Sequence, residues 1–126
     1  AAGQLTISGP NAYEKAQLTA EIIWKRLTNA GAQFEDTSTE YLGLSSCHGA
    51  INSIPDQLNE VVLRLGVRDM DKDKVNRFGK EIAPVITNGP PGITGFSGGR
   101  PKAQEIVAYW PALISKELVQ STVDVI

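Results

Sequence analysis

The nine residues from Glu60 to Arg68 constrain the fold more than any other stretch of the chain. Val61, Leu63, Leu65 and Val67 alternate with Val62, Arg64, Gly66 and Arg68, the period of an extended strand with one apolar and one mixed face. Such a strand needs neighbours in a sheet and apolar cover on one side only. Gln4 to Ser8 repeats the pattern, with Leu5 and Ile7 against Thr6 and Ser8. Phe34 to Ser45 is rich in β-favouring Thr, Tyr and Phe, placing Thr37, Thr39 and Tyr41 opposite Glu40, Leu42 and Leu44. Glu105 to Trp110 alternates again, with Ile106, Ala108 and Trp110 against Val107 and Tyr109. Pro111, which has no amide hydrogen for a ladder, then ends the run. Four strands are therefore expected.

Two helices supply the cover. After the break at Gly9-Pro10, Asn11 with Glu14 three residues on has the elements of a capping box. From there Ala12, Ala16, Ala20, Ile23, Leu27 and Ala30 recur at helical steps, Glu21 and Lys25 lie one turn apart on the wet side, and Gly31 offers a left-handed stop. The second helix is capped by Asp71 and carries Val75, Phe78, Gly79, Ile82 and Ile86 on one face, with a break expected near Ala83 because Pro84 clashes with the preceding turn. The order strand, helix, strand, strand, helix, strand predicts an α+β fold, the ferredoxin-like βαββαβ sandwich. Its antiparallel sheet has both helices on one face. Leu5, Ile7, Leu63 and Leu65 then share a core with the helix stripes, while Thr6, Arg64 and Arg68 lie on the opposite, open face. The tail from Leu113 to Ile126 reads as an edge strand or as a segment awaiting a partner.

Composition closes off several functions. A chain of 126 residues with 41% apolar and 21% charged residues can bury one continuous core and reads as a single domain over residues 1–126. Twelve basic against 14 acidic residues give a net charge of −2, which disfavours nucleic acid as a partner. No apolar run approaches the length of a membrane span and no secretory signal opens the chain, so no membrane partner is expected. The lone Cys47 cannot form an internal disulfide, and Cys47 with the lone His48 cannot make a zinc site. A cytoplasmic location is expected, with no metal and no cofactor. The chain starts at Ala1 and runs at once into a strand, which reads as the C-terminal part of a larger protein.

The unusual chemistry lies between Asn88 and Lys102. Gly92, Gly95, Gly98 and Gly99 permit close backbone approach, and Arg100 and Lys102 can neutralise a phosphate or carboxylate. The spacing matches neither the Walker loop nor the dinucleotide fingerprint. The competing reading is a rigid loop, with Phe96 and Ser97 at its centre, shaped to pack against a neighbouring domain or subunit. Gly95-Phe96-Ser97-Gly98-Gly99 has the letters of a nucleophile elbow, but Arg100-Pro101 follows where the elbow needs a helix, and the only histidine precedes the serine. Cys47 and His48 are neighbours whose side chains point apart in extended chain. No catalytic residue is assigned, and whether the chain is an enzyme stays open. Asp69, Asp71 and Asp73 have Lys74 where a calcium loop needs glycine, and read as a helix-capping cluster. Arg64 and Arg68 share the open sheet face with Tyr109, as binding groups or as ion-pair partners of Glu40 or Glu105.

The run VVLRLGVRDMDKDKVNRFGKEIAPVITNGPPGITGFSGGRPKAQEIVAYWPALI resembles the C-terminal part of the acyclic terpene utilisation protein AtuA-like family. ISGPNAYEKAQLTAEIIWKRLTNAG and LGLSSCHGA are similar to the same family, and GPPGITGFSGGRPK is the most specific motif. The resemblance implies a ferredoxin-fold domain appended to a larger N-terminal domain, and a link to catabolism of acyclic terpenes or related branched acids. It names no catalytic residue. Together these readings predict a non-catalytic interaction or oligomerisation domain. It docks through the open sheet face and the Gly89 to Lys102 loop on its own N-terminal domain or on another copy, as a homo-oligomer. The alternative is a ligand-binding or enzymatic domain that holds the phosphate or carboxylate of an acyl-CoA or terpenoid acid, an anionic small molecule, in that loop.

Overall fold

The computed structural model describes residues 1–44, 46–47, 49, 58–95, 99–120 and 122–124. Strand β1 (Ala2–Ser8), helix α1 (Ala12–Asn29), strands β2 (Asp36–Leu42) and β3 (Glu60–Arg68), helix α2 (Lys72–Ile82), the short helix α3 (Pro84–Asn88) and strand β4 (Ile93–Thr94) follow in that order. The sheet order is β2-β3-β1-β4 and every neighbouring pair is antiparallel. This is the expected ferredoxin-like arrangement.

The two clearest alternating segments form the centre. β1 and β3 pair along their lengths, with Leu5 opposite Leu63 and Ile7 opposite Val61. Val61, Leu63, Leu65 and Val67 are buried under the helices, as are Leu5 and Ile7. Helix α1 lays Ala12, Ala16, Ala20, Ile23 and Leu27 on this layer, and its alanines allow close approach. At about 1.5 Å per residue its 18 residues reach the width of the sheet. Buried Thr19 satisfies its hydroxyl by donating to the Lys15 carbonyl at 2.6 Å. Helix α2 adds Val75, Phe78 and Ile82. Phe78 stacks on Trp24, and Arg26 of α1 pairs with Glu81 of α2 at 2.9 Å.

The helix ends divide between expectation and correction. Asp71 caps α2 as read, its carboxylate accepting from the amides of Asp73 at 2.9 Å and Lys74 at 3.2 Å. Helix α1 ends in paired bonds, Gly31 N to Thr28 O and Ala32 N to Leu27 O, with Gly31 at φ 74°. Asn11, by contrast, makes no side-chain cap. It sits in the left-handed region at φ 56°, where the carboxamide cannot reach the first amides as it would from an extended cap residue, and contributes only its carbonyl, which accepts from Lys15 N.

The fourth strand is not where the alternation of Glu105 to Trp110 put it. It is Ile93–Thr94, inside the stretch whose glycine and proline content argued for loop alone. Pro84 starts α3, which turns the chain back. Gly92 at φ 90° then swings it against β1, where Ser8 N donates to Gly92 O at 2.9 Å and buried Ile93 faces Ile7. A two-residue edge strand makes few ladder bonds, so flanking glycines and prolines do not prevent it. Residues 105–110 lie outside the sheet.

A strap replaces the missing length of edge. Arg100 to Ala103 cross helix α2 beside the start of β1, and Ala103 N donates to Asn76 Oδ1 at 2.9 Å. Gly79 is the seat of this crossing, because a Cβ there would collide with the backbone of Pro101. Gly3 gives the same room to Ile82 and Pro101 from the sheet side. Gly79→Ala is expected to lower stability by about 1–3 kcal/mol through overpacking, although alanine in a helix interior is otherwise the better residue by up to about 1 kcal/mol. Urea unfolding tests this, and a midpoint equal to or above that of the unsubstituted chain would refute the strap's close seating.

Candidate functional site

The open face of the sheet carries Ala2, Gln4 and Thr6 from β1, Val62, Arg64, Gly66 and Arg68 from β3, and Asp36, Ser38, Glu40 and Leu42 from β2. Arg64 and Arg68 are there as expected, and both are engaged. Arg64 pairs with Glu40, its cross-strand neighbour, and Arg68 with Asp36, its own partner in register. The hydrogen bond from Arg64 holds the Glu40 carboxyl below its ordinary range, and the same bond raises the guanidinium. These pairs brace the β2–β3 ladder and leave neither arginine a free anion receptor. Tyr109, assigned to this face, is instead 92% exposed on the tail, because the segment that carries it never joins the sheet.

The glycine-rich stretch separates into two parts. Gly92 is spent on the fold, since a side chain there would strike the Ser8 carbonyl. Gly95, Gly99, Arg100 and Lys102 line a hollow of about 610 Å³ beside β1, together with Ala2, Gly3, Gln4, Thr6, Val62, Pro101 and Gln104. None of these lining residues is acidic, and neither Arg100 nor Lys102 forms an ion pair among the described residues. Phe96, Ser97, Gly98 and His48 lie outside the described residues. Cys47 is exposed and has no disulfide partner. Among the described residues no group of three metal-ligating side chains occurs, and no helix is long and apolar enough to cross a membrane.

A second hollow of about 350 Å³ lies at the other end of the open face, between Ala2, Asp36, Ser38, Gly66 and Arg68, with Gln104 and Ile106 at its rim. Past it the described residues form no strand or α-helix and one 3-10 turn at Lys116–Leu118. Nine large apolar side chains between Ile106 and Val123 are exposed, Trp110 at 86%. Among the described residues no apolar side chain beyond Ala103 packs on the core. The sequence assigned Glu105 to Trp110 to the sheet and left Leu113 to Ile126 as an edge strand or a segment awaiting a partner; among the described residues neither stretch forms a strand.

Comparison with known families decides the relationship. The family described as Acyclic terpene utilisation family protein AtuA matches residues 1–125. The chain belongs to the AtuA family. That membership ties it to acyclic terpene utilisation, and the motif GPPGITGFSGGRPK of this AtuA-family chain contributes both β4 and the strap. Among curated proteins and among solved structures none matches it significantly.

The aspartate cluster of the AtuA-family chain is structural. Asp69 accepts from Asp71 N at 2.8 Å and from Lys74 Nζ at 2.5 Å. The Lys74 bond first, then the Asp71 amide, hold the Asp69 carboxyl below its ordinary range, while Asp69 raises Lys74. A carboxyl depressed by folding contributes stability above its unfolded pKa and loses it as pH falls through the folded value. Asp69→Asn is therefore expected to lower the urea midpoint at neutral pH, with the deficit shrinking below the ordinary carboxylate range. A deficit equally large in acid would contradict the ionic origin of the cluster's stabilisation.

Proposed function

We propose that this AtuA-family chain is a non-catalytic interaction module within acyclic terpene or branched-acid catabolism, and that its apolar arm, residues 105–126, is the docking element. One observation carries the reading. Nine large apolar side chains stand in water on chain that the core does not use. Together they expose on the order of 1,000 Å² of surface, beyond the few hundred Å² of contiguous apolar patch that soluble monomers tolerate. The fold anchors this arm through the strap at Asn76 and Gly79 and adds nothing to cover it. The docking surface is thus the arm together with the open face at its root, and the segment from Gly89 to Lys102 supplies the anchorage. This reading keeps the module in the cytoplasm, docked on its own N-terminal domain or on another copy.

Trp110 reports on the arm. In a Trp24→Phe background, iodide is expected to quench Trp110 as it quenches free indole when the chain is dilute, and the quenching is expected to fall once a partner is bound. A Trp110 already shielded in dilute monomer would mean that the arm folds back on its own body, and the module reading would fail.

The hollow lined by Arg100 and Lys102 favours a second reading, a site for the carboxylate or phosphate of a terpenoid acid or acyl-CoA. Two cations share the hollow with Gln4 and Thr6, whose polar groups can orient an anion, and none of its described lining residues is acidic. Hydrogen bonds to charged groups contribute about 1.5–3 kcal/mol, so Arg100→Ala should weaken binding roughly tenfold or more in calorimetry with a branched acyl-CoA or terpenoid acid. No detectable binding, or binding unchanged by the substitution, removes this reading.

A further inference from the structure

The outer edge of β2 is a free hydrogen-bonding surface. Ala1 and Val67 exchange both of their backbone bonds, Ala1 N to Val67 O at 3.0 Å and Val67 N to Ala1 O at 2.9 Å. In an antiparallel ladder this fixes the alternation. Odd-numbered residues of β3 bond to β1 and even-numbered ones to β2, so that Asp36, Ser38, Glu40 and Leu42 face inward to β3. The amides and carbonyls of Thr37, Thr39 and Tyr41 therefore point outward, and among the described residues no strand pairs with them. The Tyr41 carbonyl already accepts from Leu44 N at 3.3 Å and Ser46 Oγ at 3.0 Å, so the free groups are those of Thr37 and Thr39 and the Tyr41 amide.

Protein edges are normally guarded by lysine, proline, a bulge or unpaired charge. β2 has no lysine or proline, its register with β3 runs unbroken, and its two carboxylates are neutralised by Arg64 and Arg68. Meanwhile Glu105 to Trp110 is a strand sequence without a strand partner. Its root, Gln104 and Ile106, lines the same hollow as Asp36, Thr37 and Ser38 at the first end of β2. From there it extends exposed instead of lying along its own edge.

We infer that Glu105 to Trp110 of one copy adds to the free edge of β2 in a second copy, and that two copies exchange arms about a two-fold axis. The inference rests on the module reading and names its partner. The exposed apolar area supports a second copy: Glu105 to Trp110 carries Ile106, Val107, Tyr109 and Trp110, roughly 600 Å² of exposed surface, and two such segments reach the roughly 1,200–2,000 Å² of a stable interface. Exchange about a two-fold axis closes the pair, because the copy that receives an arm on its edge returns its own arm to the donor, whereas the same parts joined one way would run on as a filament. Main-chain bonds along β2 give the pairing, and alternate arm side chains fall on the two faces of the extended sheet.

Light scattering of the full chain is expected to show a dimer, and the chain ended after Gln104 a monomer whose melting temperature equals that of the full chain diluted below its dimerisation range, since among the described residues no apolar side chain beyond Ala103 packs on the core. Thr37→Pro removes an outward amide and leaves the β3 ladder intact, and is expected to weaken dimerisation at least about tenfold. Mixing the Thr37→Pro chain, which has an arm but a blocked edge, with the chain ended after Gln104, which has an edge but no arm, should restore a heterodimer in native mass spectrometry. Should Thr37→Pro not fold, amide exchange of the unsubstituted chain serves instead, with Thr37, Thr39 and Tyr41 slowing as concentration carries the chain into the dimer. A full chain monomeric at its solubility limit, a dimer indifferent to both changes, or no concentration-dependent protection at these three amides overturns the inference. Each of those results leaves the Trp110 quenching test of the module reading to be decided separately.

Discussion

The antiparallel pairing of β1 with β3 is the interaction on which the rest of the molecule depends. It joins the two segments whose alternation is cleanest, and it puts Leu5, Ile7, Val61, Leu63 and Leu65 on one side in a single register. A shift of one residue would turn one strand over, sending either Leu5 and Ile7 or Val61, Leu63 and Leu65 to the open face and bringing Thr6, or Val62 and Arg64, beneath the helices. Helix α1 can be rich in alanine because the layer it covers is already filled by branched side chains. Helix α2 adds the fully buried Phe78, which also stacks on Trp24 of α1.

The division of labour between the two sheet faces follows. The helix side carries nearly all the apolar burial, while the open side is small and polar, held in place by Arg64 with Glu40 and Arg68 with Asp36. Exposed pairs of this kind contribute little to stability by themselves. Their consequence lies elsewhere: they use up the charges that would otherwise keep another strand away from β2. The same face also leaves two hollows on either side of Ala2, one polar beside Arg100 and Lys102, the other beside Ile106.

How much of this was legible depended on whether a segment's period matched its environment. β3 was readable because its two faces meet different surroundings, and α1 because five of its buried residues recur at helical steps. Asp71 was readable because a cap is a local interaction. β4 was not, since two residues have no period, and its place is set by Pro84 and Gly92 acting at a distance from it. The alternation of Glu105 to Trp110 misled: period two suits any extended chain, and these residues lie outside the sheet whose fourth strand is Ile93–Thr94. Arg100 and Lys102 could be picked out from charge and glycine spacing. Gln4 and Thr6, which share their hollow, could not, because only the crossover through α2 brings β1 beside them.

The seating of Pro101 against Gly79 governs how tension on the arm would be borne. β4 meets β1 through two residue pairs and would peel away under a small load. Any pull on residues beyond Gln104 reaches the strap first, where it bears on the flank of α2 and is resisted in shear by Phe78 and Ile82 seated in the core. The weakest seam of the sheet is thereby insulated from whatever grips the arm.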